Sequence, residues 1–148
     1  MKKKRILFLC TGNSCRSQMA EGLLKHLAGG AYEVFSAGIS PTEVNPLAIQ
    51  AMRELNIDIS DQKSESVEQY LGQEFDHVIT VCSNANASCP TFLGGYEKDH
   101  WDLDDPAPAQ GAVEEKMKVF RRIRDQIKEK VIELVHAESK NQGKNGQP

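Results

Sequence analysis

Residues 5–24, RILFLCTGNSCRSQMAEGLL, change character at one cysteine. As far as Cys10 the run is short, apolar and strand-like. From Ser17 onward, Met19, Ala20, Leu23, Leu24, Leu27 and Ala28 recur at helical spacing until Gly29 and Gly30 stop them. Between strand and helix lies a polar loop with a glycine at position 12 and an arginine at position 16. A strand that feeds a helix through a short loop is the opening unit of a parallel α/β sheet, whose ligands sit at the carboxyl ends of its strands. Cys10 occupies such an end.

Working outward, YEVFSAG (32–38) reads as a second strand, and NPLAIQAMREL (45–55) as a helix with Pro46 at its first position. SVEQYL (66–71) predicts a shorter helix, DHVITVC (76–82) a third strand and DHWDL (99–103) a fourth. Val113, Met117, Phe120, Ile123, Ile127, Val131 and Leu134 step by three or four with charges on the other face, which predicts a long final helix. The pattern implies one doubly wound α/β domain over residues 1–136, a central four-stranded parallel sheet flanked by helices. The segment SKNQGKNGQP (139–148) lacks apolar residues, so residues 137–148 are expected to be a polar, disordered tail.

With 148 residues, 39% of them hydrophobic, the chain can bury a single core. Its formal net charge of -3 is interspersed along the sequence, which gives no electrostatic footprint for nucleic acid. MKKKRILFLC (1–10) imitates a secretory leader, but its apolar part stops short of the ~7 to 15 residues a signal peptide needs. Leu9 is not the small residue a lipoprotein cysteine wants before it, and no run approaches the ~18 apolar residues of a membrane span. A cytosolic monomer with no membrane partner is therefore expected. In a reducing compartment Cys10, Cys15, Cys82 and Cys89 are catalytic, metal-binding or core residues rather than a disulfide framework.

The loop's chemistry follows from its residue types. Backbone N–H groups at Thr11, Gly12, Asn13, Ser14, Cys15, Arg16 and Ser17, gathered at a helix N-terminus, make a cradle for an anion. The planar fork of Arg16 grips two oxygens of a tetrahedral oxyanion. The same field, with the Ser17 hydroxyl, is expected to lower the pKa of Cys10 and make it a nucleophile aimed at the central atom of that oxyanion. Asn13 is expected to brace the loop. Cys15 reads as a small buried residue.

CTGNSCRS (10–17) resembles the phosphate-binding loop of low-molecular-weight protein tyrosine phosphatases, a cysteine, five residues, an arginine, then serine or threonine. In that fold a late aspartate followed by proline is the general acid, and Asp105 with Pro106 matches it. A phosphatase has no use for the two cysteines in VITVCSNANASCP (78–90). Reduction has. Arsenate copies the shape and charge of phosphate, but arsenic(V) accepts two electrons; a second thiol attacking an arsenic-bearing Cys10 would expel arsenite and leave a disulfide. Cys82, at a neighbouring strand end, is placed to be that thiol. Cys89 can then attack Cys82 and free Cys10. Were the segment between them helical, the two cysteines would lie about 10 Å apart along the axis, beyond the ~7 Å Cα limit of a disulfide, so it must unwind.

This pattern is similar to the thioredoxin-coupled arsenate reductases, a branch of the phosphatase fold. The blocks SAGI (36–39), NPLAIQAM (45–52), IDIS (57–60) and HWDLDDPA (100–107) also match, in that family's order. The resemblance implies Cys10 as nucleophile, Arg16 as oxyanion ligand, Cys82 and Cys89 as the disulfide relay, Asp105 as acid and thioredoxin as external reductant. It also implies a potassium ion at Asn13, Glu21, Ser36 and Glu65, although the fourth position is more typically aspartate. The competing enzyme reading is a phosphatase that hydrolyses phosphomonoesters through a Cys10 phosphocysteine; DPAPAQG (105–111) lacks the aromatic residues that would stack on a phenyl ring. Zinc on Cys82, Cys89 and His77 or His100 is disfavoured, because six residues separate the cysteines where two to four are usual.

Overall fold

A computed structural model describes residues 2–82, 89, 90, 92 and 95–145, with side chains as far as Glu138. Four strands form one sheet: β1 (Lys4–Cys10), β2 (Tyr32–Gly38), β3 (His77–Thr80) and β4 (Glu97–His100). The helices are α1 (Arg16–Ala28), α2 (Pro46–Arg53) and α3 (Val113–Asn145), with a 3-10 turn at Val67–Tyr70. The sheet order is β2-β1-β3-β4 and every pairing is parallel. Parallel neighbours need long crossovers; α1 supplies the one from β1 to β2, and α2 with the 64–76 region the one from β2 to β3.

β1 lies inside the sheet, and Ile6 to Cys10 are all buried, as a strand covered on both faces requires. Each large side chain there stabilises the fold by roughly 1.5–3 kcal/mol relative to exposure. The register sets Cys10 beside Gly38, and the β3 residues 77–80 beside 6–9. The carboxyl ends of β1, β2 and β3 therefore open on one edge of the molecule.

Asn45 caps α2, its Oδ1 accepting from the N–H of Leu47 at 2.9 Å, with Pro46 following where no donor is needed. α3 buries Met117, Phe120, Ile123, Ile127, Val131 and Leu134 of the predicted stripe; Val113, at the first position of the helix and ahead of its packed turns, is exposed instead. Arg124 fastens α3 to α2, donating to the carbonyl of Ala51 at 2.9 Å and to Glu54 at 2.8 Å. α3 carries on to Asn145, so most of the segment expected to be a tail continues the helix. Among the described residues no helix is long and apolar enough to cross a membrane.

β4 begins two residues before the predicted stretch. It is an edge strand of sequence EKDH, mostly exposed, and charge on an edge protects it from pairing with another chain. The apolar residues that suggested 99–103 leave the sheet instead: Trp101 packs on Phe8 with ring centroids 5.5 Å apart, and Leu103 is buried near the loop.

Candidate active site

The residues from Cys10 to Ser14 turn their carbonyl oxygens outward. Cys10 O accepts from Ile39 N at 3.1 Å, Thr11 O from Ser40 N at 2.8 Å, Gly12 O from Thr42 N at 3.0 Å and Ser14 O from Asn45 N at 3.0 Å. Asn13 O accepts from the Ser64 hydroxyl at 2.7 Å and from Gln18 Nε2 at 3.0 Å. In a trans peptide the following N–H points the opposite way, so fixing these carbonyls aims the loop's N–H groups inward. α1 then starts at Arg16 with no side-chain cap on its first turn, which leaves helix N–H groups facing the same hollow. The stretch 39–45, Gln18 and Ser64 are thus part of the site. Sequence reading missed 39–45 and Ser64 because their partners are distant in the chain, and Gln18 because nothing in its spacing shows that its side chain turns back to Asn13.

The left-handed residue of the loop is Asn13, at φ 50, and not Gly12. Gly12 matters for space, since a Cβ there would stand 3.1 Å from Thr42 Oγ1. Gly38 is tighter: a Cβ would meet Thr11 O at 2.7 Å and Asn13 N at 3.0 Å.

Asn13 has a determined orientation. Its Oδ1 accepts from the backbone N–H of Glu65 at 2.8 Å and from Gln18 at 2.9 Å, so its Nδ2 must donate, to Ser17 Oγ at 2.8 Å and Ser36 Oγ at 3.0 Å. Ser17 Oγ, which accepts that hydrogen bond, stands 2.8 Å from Cys10 Sγ, and toward a thiolate its hydroxyl is the donor. The N–H of Asn13 reaches the same sulfur at 3.0 Å. These donors favour the thiolate.

Burial nonetheless pushes the Cys10 thiol above its ordinary value, against the downward pull of Ser17 and Asn13, with Cys82 adding to the rise. This corrects the expectation of a lowered thiol. Its physical reason is that the sulfur is almost wholly enclosed while the Arg16 guanidinium is turned elsewhere: Nη1 donates to the carbonyl of Leu103 at 2.9 Å and Nη2 stands 3.7 Å from Asp105 Oδ2. Arg16 thereby docks the segment carrying Asp105 over the loop. Asp105 is half-exposed and accepts from Ala107 N at 3.0 Å, while Asp104 faces Arg122 at 3.7 Å, away from the loop.

Cys82 is buried beside the loop, its Sγ 3.2 Å from Thr11 Oγ1. Cys89 is half-buried; its Sγ meets Pro90 O at 3.5 Å, and burial raises its thiol while Lys98 lowers it. The joining segment 83–88, on which the expected unwinding falls, lies outside the described residues. Cys15 is a core residue whose burial pushes its thiol up to about 11. His100 Nδ1 pairs with Thr80 Oγ1 at 2.8 Å, and His77 opens β3 at the opposite end of the sheet from the loop, an arrangement that does not bring it to Cys82 and Cys89.

The four residues expected to hold potassium do converge. Ser36 donates to Glu21 Oε1 at 2.5 Å, Tyr70 donates to the Glu65 carboxylate, and the Lys25 ammonium sits on Glu21 Oε2. Glu21, Ser36 and Glu65 share a cavity of about 420 Å³. Hard carboxylate and hydroxyl oxygens suit an alkali ion, and the half-exposed Lys25 ammonium stands where a cation would. Asn13 shows this side its nitrogen, so three of the four positions fit.

Four likenesses to known proteins bear on this geometry. The family model described as low molecular weight phosphotyrosine protein phosphatase matches residues 5–145. An arsenate reductase of Halalkalibacterium halodurans is 52% identical over 131 residues, which are 88% of this chain and 94% of that protein. A solved arsenate reductase in its oxidized state superposes with a TM-score of 0.78 at 36% identity, over 90% of this chain and 98% of that one. The thioredoxin-dependent arsenate reductase of Corynebacterium glutamicum gives a TM-score of 0.67 at 28% identity, over 95% of this chain and 64% of that one. A cysteine-to-arginine loop at the strand ends of this sheet, an aspartate held beside that arginine and matches along nearly the whole chain lead to one conclusion: the chain belongs to the low molecular weight phosphotyrosine protein phosphatase family, on the branch whose curated relatives are arsenate reductases.

Proposed function

We propose that this chain reduces arsenate to arsenite by a three-cysteine relay. The carrying observation is the 3.2 Å contact between Thr11 Oγ1 and Cys82 Sγ, which holds a second thiol at the rim of the cradle that encloses Cys10. Arsenate enters against the inward N–H groups, and Arg16 exchanges the Leu103 carbonyl for the anion's oxygens. The Cys10 thiolate, held by Ser17 and Asn13, forms a sulfur–arsenic bond as an oxygen leaves as water, protonated by Asp105. Cys82 attacks Cys10 Sγ; the sulfur–arsenic electron pair stays with arsenic, arsenic(V) becomes arsenic(III), and a Cys10–Cys82 disulfide remains. Cys89 then attacks Cys82, releasing Cys10 as thiolate and moving the disulfide outward, where thioredoxin reduces it.

The reductase relatives support this reading, one of them thioredoxin-dependent by name. A potassium ion belongs to it as well, held by Glu21, Ser36 and Glu65, where it would supply positive charge behind the Asn13 brace. A higher melting temperature in potassium than in sodium chloride supports that ion, and equal values remove it. The main test is arsenate-dependent NADPH oxidation with thioredoxin and thioredoxin reductase, run beside p-nitrophenyl phosphate hydrolysis. Turnover lost on replacing Cys82 or Cys89 supports the relay. Hydrolysis alone, indifferent to both cysteines, makes the protein a phosphatase working through a Cys10 phosphocysteine.

A further inference from the structure

At the amino end of the sheet, away from the thiols, His77 opens β3 and Glu97 opens β4, and the parallel register pairs them side by side. Glu138 reaches the same place from α3. One ligand atom from each residue lies within 4.8 Å of the others, and no other three such groups gather this way among the described residues. His77 is 8% exposed, and with Glu97 and Glu138 it lines the cavities on either side. Here it faces two carboxylates.

We propose that His77, Glu97 and Glu138 form a binding site for a divalent first-row transition ion, with Zn²⁺ or Mn²⁺ as the matching chemistry. One imidazole nitrogen and two carboxylate oxygens are a donor set for such ions, and water completes the coordination. Cavities of about 320 and 330 Å³ flank the three residues and give that water access. Ligands about 2.1 Å from a metal stand about 3.4 Å apart in a tetrahedral set. The closure needed from 4.8 Å is within reach of side-chain rotation, because Glu97 is exposed. Glu138 already holds a cation, the ammonium of Lys4, whose half-exposed side chain can swing into solvent. Lys4 is thus the competitor that the ion displaces. At about 3.3 Å per residue, the five steps from His77 to Cys82 put the site about 16 Å from the relay. Its effect is to tie β3, β4 and α3 together, and binding to the folded state alone stabilises it.

The test is a titration of reduced, full-length, ¹⁵N-labelled protein with Mn²⁺, which thiolates hold poorly, read by paramagnetic broadening and followed by Zn²⁺ displacement. Broadening should centre on the amides of His77, Glu97 and Glu138. His77→Gln and Glu97→Gln should each weaken Mn²⁺ by at least about tenfold, the loss attached even to an outer-shell partner. Lys4→Met should tighten it, a gain that misfolding cannot produce. Broadening centred elsewhere, no broadening, or affinities unchanged in Glu97→Gln and Lys4→Met would each overturn the proposal.

Discussion

Ser17→Ala removes one bond from the nucleophile and leaves the loop's backbone scaffold in place. Asn13 donates to the Ser17 oxygen, so the lost group is a hydroxyl donor aimed at Cys10 Sγ over 2.8 Å. A hydrogen bond to a charged group contributes about 1.5–3 kcal/mol, and at 1.36 kcal/mol per pKa unit its loss leaves roughly ten- to a hundredfold less thiolate below the titration. The sign is upward: a donor that favoured the thiolate is gone. A more basic thiolate is also intrinsically more reactive, with a Brønsted slope of about 0.4–0.5, which recovers about half of the deficit on a logarithmic scale. Iodoacetamide alkylation of Cys10, followed by mass spectrometry across pH, should therefore be about three- to tenfold slower than wild type at neutral pH. At high pH, where both proteins are ionised, the variant should be faster. This crossing separates the bond from mere loosening of the loop, which would change the rate in one direction at every pH. Superimposable profiles would refute the assignment of Ser17 as donor.

Three further outcomes follow from the same geometry. Gly38→Ala sets a methyl group against Thr11 O at 2.7 Å, so overpacking should cost about 1–3 kcal/mol by denaturant unfolding and impair anion binding together with stability. Asp105→Asn should slow single-turnover adduct formation by about 10²-fold or more, the usual share of a general acid. Its melting temperature should barely move, because the Arg16 contact is long and half-exposed; an unchanged rate would remove Asp105 from the chemistry. In Cys89→Ser, one turnover with arsenate should trap a disulfide between Cys10 and Cys82, and free thiols at both positions on peptide mapping would contradict the order of attack.

Much of this was legible before any coordinates, for definite reasons. β1, α1 and α3 announce themselves because burial writes a period into the sequence, and the loop between Cys10 and Ser17 is local, so its residues carry their own geometry. β4 was displaced in the reading because an edge strand of charged residues has no apolar alternation, while Trp101 and Leu103 lend their signal to the wrong segment. The contacts of Asn13 with Glu65 and Ser64, and of Arg16 with Leu103, join residues far apart in sequence. No spacing rule reaches them. The direction of the Cys10 shift was misread for a related cause: donors around a sulfur can be guessed from a motif, whereas the depth of its burial depends on the whole fold.

The central claim is that electrons leave through Cys82 and Cys89 once arsenate has met Cys10. Its most direct measurement is a single turnover: fully reduced protein is mixed with stoichiometric arsenate without thioredoxin, quenched in acid, and its disulfides and arsenite are quantified together. The account predicts one Cys82–Cys89 disulfide for each arsenite formed, with Cys10 and Cys15 left as thiols. Arsenite formed while Cys82 and Cys89 both remain thiols would contradict it.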